Sequence, residues 1–155
     1  MKAKNQITNA CFMTMAMKLA EKAALHDDVP IGAVIVQNGR IIARGENRVQ
    51  KKHDITAHAE IVAIRAAAKK SGKKFLDDAE IYVTLEPCAM CATAISFARI
   101  GRIFFAARDE KGGGVLHNSR IYDTDRHLWK PTVKQMPEFE SESAQMLKDF
   151  FKSKR

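Results

Sequence analysis

Four side chains in two short stretches could do chemistry together. Thr56-Ala57-His58-Ala59-Glu60 supplies an imidazole and, two residues on, a carboxylate. Pro87-Cys88-Ala89-Met90-Cys91 supplies two thiols with two residues between them. Cys-x-x-Cys alone also serves thiol redox sites, and His-x-Glu alone occurs by chance. As a set, the four can bind Zn²⁺ and move protons beside it. A structural zinc is usually closed by four protein ligands, whereas a catalytic zinc keeps three and leaves a position for water. His58, Cys88 and Cys91 make three. Among other candidates, Cys11 falls in an apolar, helix-like segment and is expected in the core. His53 is near His58 but sits among Lys51, Lys52 and Asp54, as on a solvated loop, and His26, His117 and His127 stand alone. The expectation is an open site, with a closed structural zinc as the alternative.

The spacing sets conditions on the supporting elements. Cys88 and Cys91, at i and i+3, share one side of a helix. Pro87 suits a helix start, where its missing N–H costs nothing, and the positive end of that helix favours both thiolates. His58 and Glu60, at i and i+2, point apart on a regular helix. They converge only if His58 lies in the first turn with the metal beyond the helix end, and Thr56 or Asp54 as a cap puts the start there. Glu60 then stands by the fourth zinc position. Zinc lowers the pKa of bound water from about 15.7 toward about 7, so a carboxylate there can take that proton and return it to a leaving amine.

The remaining pattern supplies such elements. Phe12, Met13, Ala16, Met17, Leu19, Ala20 and Ala23 recur at helical spacing over residues 7–24, with the Met-rich face expected in the core. A break at 26–30 precedes a short buried strand over 31–36. Asn38-Gly39 is a hairpin turn signal, with the return strand at 41–43. Residues 46–55 read as a polar loop into the first motif. A helix over 58–70 should face Ile61, Val62, Ile64 and Ala68 inward and end at Ser71-Gly72, where Lys69, Lys70, Lys73 and Lys74 read as solvated. A third strand over 80–85 leads to Pro87, a helix follows over 88–98, and a fourth strand over 102–106. Two strand-to-helix units would thus deliver the ligands to helix starts at the ends of a sheet. Gly112-Gly113-Gly114 reads as a flexible corner, without the Lys-Ser/Thr of a P-loop. One more strand is expected near Val133, and a last helix over 142–151.

Composition bounds the rest. At 155 residues and 46% hydrophobic content the chain fits one globular domain, without internal repeats or a long linker. Lys and Arg number 26 against 18 Asp and Glu, a formal net charge of +8, which suits a polyanionic partner. Three cysteines do not make a disulfide framework and fit a reducing cytoplasm. No stretch is long and apolar enough to span a membrane. Lys18 interrupts the only run that resembles a secretion signal.

The His-x-Glu followed by Pro-Cys-x-x-Cys is the signature of zinc-dependent nucleobase deaminases. The likeness extends to Val29-Pro30-Ile31-Gly32-Ala33-Val34, to Asn47, to residues 53–61 and 82–91, to Arg99-Ile100-Gly101-Arg102, and to Ala107-Arg108-Asp109-Glu110-Lys111. On these residues the chain resembles the bacterial tRNA-specific adenosine deaminases of the cytidine/deoxycytidylate deaminase superfamily. The resemblance implies an α/β fold, a three-layer α/β/α arrangement with a mixed five-stranded central sheet (cytidine deaminase-like). It implies a single zinc-dependent deaminase domain over residues 1–155, a homodimer, and one Zn²⁺ per subunit. It also implies conversion of adenosine to inosine at the wobble position of a tRNA anticodon stem-loop. Carried over by position, His58, Cys88 and Cys91 hold zinc and Glu60 shuttles protons. Asn47, with Pro30, Ala59 and Pro87, would contact the base, and Asp109, Lys111, Phe150 and Lys152 the RNA. The chain departs from the family at Ile55, where Pro is frequent, and after Gly112 through Trp129 to Met136.

Two other readings fit the same residues. One is a small-molecule guanine or cytidine deaminase with identical zinc chemistry. The other is a zinc-stabilised RNA-binding module without catalysis, which needs four protein ligands.

Overall fold

A computed structural model describes the backbone of residues 2–155, and side-chain surroundings from Asn9 onward. Helix α1 (Lys2–Leu25) leads into strands β1 (Gly32–Gln37) and β2 (Arg40–Glu46), the short helix α2 (Val49–Lys52) and helix α3 (Ala59–Ser71). Then come β3 (Glu80–Leu85), α4 (Ala89–Phe97), β4 (Arg102–Ala107), α5 (Ile121–Thr124), β5 (Thr132–Gln135), a 3₁₀ turn (Pro137–Phe139) and α6 (Glu140–Ser153).

The five strands form one mixed sheet in the order β2-β1-β3-β4-β5. β1 runs antiparallel to both β2 and β3, while β3, β4 and β5 are parallel. Asn38 and Gly39 at the β1–β2 turn both have positive φ, at 53° and 75°, as the hairpin signal requires. Alternation along each strand divides the core. Ala33, Ile35, Ile81, Val83, Ile103 and Phe105 pack under α3 and α4. Val34, Val36, Tyr82, Phe104 and Ala106 pack under α1. Tyr82 stacks on Phe104 with ring centroids 4.5 Å apart, and its hydroxyl donates to Asn9 Oδ1 at 2.8 Å. The sheet therefore has helices on both faces, as expected.

β1 is antiparallel to β3, so the start of β1, the end of β2 and the end of β3 meet at one sheet end: Gly32 pairs with Glu46, and Ala33 with Val83. The helix α3 can start there because the contact beneath it is small. A Cβ on Gly45 would lie 2.4 Å from Ala59 O and 2.7 Å from Ala63 N. Ala59, Ala63 and Ala67 are the buried stripe of α3, together with Glu60.

That stripe corrects the expected inward set. Ile61, Val62, Ile64 and Ala68 are only partly buried, because close backbone approach at Gly45 selects the alanines. Cys11 is also corrected: it is exposed on α1 while Met13, Ala16 and Met17 fill the core. The polar stretch after β2 contains α2, whose Gln50 and Lys51 N–H groups donate to the buried Asp28 carboxylate at 2.7 and 3.2 Å. Gly113 and Gly114 are buried and tightly packed, so that corner is not loose. The strand near Val133 is present as β5, whereas α5 had no legible sequence signal. Among the described residues no helix is long and apolar enough to cross a membrane.

Gly45→Ala should lower stability by about 3 kcal/mol, because helix backbone rather than a flexible side chain occupies the space. The urea midpoint measures this, and a midpoint equal to the parent's would refute the close approach.

Candidate active site and metal centre

Both motifs end in a helix cap. His58 is the N-cap residue of α3, with extended backbone at φ −68°, ψ 155°. Cys88 is the N-cap residue of α4, at φ −71°, ψ 173°. Neither Thr56 nor Asp54 caps α3. Instead the Asp54 carboxylate accepts the Thr56 N–H at 2.9 Å and its hydroxyl at 2.7 Å, closing a turn that carries the chain to Ala57 and His58. Pro87 lies one position before the N-cap Cys88 and not in the first turn of α4. A residue at an N-cap points its side chain past the helix end, so each helix projects a ligand into the space between them. Cys91, in the first turn of α4, projects beside Cys88.

His58 Nδ1 lies 3.7 Å from Cys88 Sγ and 3.5 Å from Cys91 Sγ. The three ligand atoms all lie within 4.8 Å of one another, and among the described residues they form the group able to hold a metal ion. Zinc bonds of about 2.3 Å to sulfur and about 2.0–2.1 Å to nitrogen, at tetrahedral angles, place N and S about 3.6 Å apart. The donor set therefore fits zinc in both chemistry and spacing. His53 stands exposed and outside this group, so among the described residues the group able to hold a metal has three side chains.

The charges are arranged unevenly. A hydrogen bond with Cys91 is the main influence that brings the Cys88 thiol down to about 4, with His58 adding to it. The same hydrogen bond and burial push the Cys91 thiol up. Glu60 is 4% exposed, in the first turn of α3. Burial pushes its carboxyl up to about 7; the Cys88 charge adds to this, while its own N–H and His58 oppose. A carboxyl poised near neutrality can both accept and release a proton.

Beside this group lies a cavity of about 630 Å³, lined by His58, Asn47, Ile31, Ile55, Phe150 and Phe151 among others. Asn47 is buried, its N–H donates to Ile31 O at 3.0 Å, and its Oδ1 has no hydrogen-bond partner. A buried unpaired acceptor beside a cavity is costly unless something entering it donates. Pro30, Ala59 and Pro87 are buried around the centre but do not line the cavity. The four residues expected to meet RNA separate. Phe150 lines the cavity and Lys152 is exposed near the end of α6. Asp109 and Lys111 line a second depression of about 520 Å³ with Arg108, Glu140 and Lys148. Sequence reasoning missed Phe151 and Lys154, which also line the first cavity, and the ion pair of Lys154 with Asp27 across its mouth. Helical spacing placed Phe151 on α6, but nothing local showed where α6 ends.

Comparison with known proteins agrees with this geometry. The family model for MafB19-like deaminases matches residues 7–155. A tRNA-specific adenosine deaminase of Agrobacterium fabrum is 48% identical over 149 residues, covering 93% of this chain and 94% of that protein. A solved structure from studies of A-to-I editing by tRNA:A34 deaminases at the wobble position of transfer RNA is 48% identical. It superposes with a TM-score of 0.86, covering 89% of this chain and 99% of that one. The structure of a guanine deaminase from Bacillus subtilis is 35% identical with a TM-score of 0.64, covering 90% and 93%. The chain belongs to the MafB19-like deaminase family and, within it, to the tRNA-specific adenosine deaminases.

Purified protein should carry about one zinc per chain, and Cys88→Ala should reduce this to below about a tenth. His53→Ala should leave the metal content unchanged; a loss there would mark a fourth ligand and a closed site.

Proposed function

We propose that this member of the tRNA-specific adenosine deaminase family converts adenosine to inosine at the wobble position of a tRNA anticodon loop. It would act as one deaminase domain over residues 1–155, in a cytoplasmic homodimer with one zinc per subunit. The observation that carries the reading is a buried carboxylate, Glu60, in the first turn of the helix that His58 caps, beside a three-ligand group and a cavity whose lining includes Asn47, a residue with an unpaired buried amide acceptor.

Zinc held by His58, Cys88 and Cys91 would supply a Lewis-acidic centre that lowers the pKa of a water toward neutrality. Glu60 accepts the proton that water gives up and delivers it to a ring nitrogen of the purine. The water oxygen adds to C6, and its remaining proton passes to the amino group as the C6–N bond breaks, so that ammonia leaves and C6 becomes the carbonyl. The sum is adenosine plus water giving inosine plus ammonia. Asn47 Oδ1 accepts a hydrogen bond from the base and orients it, while its buried N–H is already committed to Ile31. Pro30, Ala59 and Pro87 hold the walls behind the reacting atoms.

The base must leave its stack to reach this depth, at a cost of a few kcal/mol, less from an open loop than from a duplex. The rim suits an open loop. Phe150 and Phe151 line the mouth, Lys152 is exposed beside them and adds positive charge, and Asp109 and Lys111 lie on the neighbouring depression. A net charge of +8 favours holding the flanking phosphates. RNA recognised this way has splayed, stacked bases.

A free-purine deaminase is the second reading, supported by the likeness to the guanine deaminase structure. Both readings share Glu60, so substrate decides between them. Purified protein should form inosine in an anticodon stem-loop. Glu60→Ala should lower kcat by about 10³-fold or more with zinc retained. Turnover of guanine with none of the stem-loop would transfer the function to the second reading, and an active Glu60→Ala enzyme would remove the mechanism.

A further inference from the structure

Glu86 follows β3 directly and precedes Pro87 and Cys88, yet no proton step above uses it. Its side chain is fully buried. A buried carboxylate needs donors around it, and these come from one segment. Oε2 accepts the N–H groups of Val115 at 3.3 Å, Leu116 at 2.9 Å and His117 at 3.0 Å. Oε1 accepts the N–H of Asp109 at 3.3 Å and lies 2.6 Å from His117 Nδ1. An ionised carboxylate only accepts, so that ring nitrogen carries the proton. One carboxylate thus holds both ends of segment 109–117.

The interior of the segment is closed just as tightly. Gly112 N–H donates to Asp109 Oδ1 at 2.9 Å, Gly113 N–H to Asp109 O at 2.9 Å, and Gly114 N–H to Pro87 O at 2.8 Å. A Cβ on Gly113 would meet Glu86 Oε2 at 2.6 Å, and one on Gly114 would meet Ala89 N at 2.4 Å. Because β3 and β4 are parallel, this segment leaves the sheet at the end where Cys88 stands. It presents Glu110 and Lys111 to solvent and, with α6, walls the second depression.

We propose that Glu86 is a positioning residue for the polynucleotide: without touching substrate, it holds segment 109–117 in the shape that receives RNA beside the metal centre. A loop already ordered loses little freedom when the partner arrives, so the benefit falls on binding. His58, Cys91 and Glu60 are carried by α3 and α4, and among the described residues the Glu86 carboxylate bonds to residues 109–117 and to none of His58, Cys88, Cys91 or Glu60. The inference rests on the RNA reading above.

Glu86→Gln keeps the size but presents an amide donor where only acceptors fit. The expected result is a KM for stem-loop RNA raised about tenfold, kcat within about threefold of the parent, and unchanged zinc per chain. Amide exchange at Val115, Leu116 and His117 should quicken by about tenfold or more. A fall in kcat with KM unmoved overturns the proposal, since that is what loosening of the metal turn would give. If Glu86→Gln does not fold, His117→Phe removes only the ring donor and should raise KM about threefold; a KM equal to the parent's overturns it too. The two readings fail separately. A parent protein inactive on RNA sinks the substrate assignment, whereas unchanged exchange at residues 115–117 sinks the role of Glu86.

Discussion

The meeting of two helix N-termini over one end of the sheet is the constraint on which the rest depends. His58 and Cys88 each occupy the cap of a helix, so their side chains leave the helices and approach each other across a gap that neither helix could fill alone. Each helix is brought there by a strand: β2 through Asn47 and the α2 turn, β3 through Glu86 and Pro87. Any relative slide of α3 and α4 would open the 3.5–3.7 Å separations between the imidazole nitrogen and the two sulfurs. Packing density therefore has a chemical consequence here, because the sheet face beneath the helices is filled by Ile35, Ile81, Val83, Ile103 and Phe105, all fully buried.

Much of this was legible in the residues themselves. That His58, Cys88 and Cys91 should gather into a group able to hold a metal ion, with Glu60 close by, follows from residue types and spacing, since metal chemistry tolerates few alternatives. The strands are also legible, because β1, β3 and β4 are short apolar runs bounded by turns. Helix detail was less so. A periodicity argument favours large apolar side chains as the inward set, but α3 turns Ala59, Ala63 and Ala67 inward because Gly45 brings the strand backbone against it. That contact joins residues distant in sequence, so no local window contains it. Cys11 failed for a related reason: the apolar content of α1 exceeds what one face can bury, and one position of the surplus faces water.

The segment after Gly112 was the least legible, and the structure gives the physical cause. Its shape is held by hydrogen bonds between backbone N–H groups and the side chain of Glu86, together with the ring of His117. Backbone donors leave no trace in side-chain pattern. Three consecutive glycines suggest freedom, whereas here at least two are required by contact: Gly113 against Glu86 and Gly114 against Ala89 leave no space for a side chain. The same residue type thus marks slack in one context and crowding in another, and only the partners distinguish them.

The tight seat of α3 on the hairpin also bears on how such an enzyme could acquire new substrates. Enlarging the chamber from below would require the helix to rise off Gly45, and His58 and Glu60 would rise with it, dismantling the reactive centre. Room for variation is left at the mouth, where Ile55 and Phe151 are substantially solvent-facing and Lys154 reaches across to Asp27. Selectivity in this architecture should therefore drift through its perimeter while its floor stays unchanged.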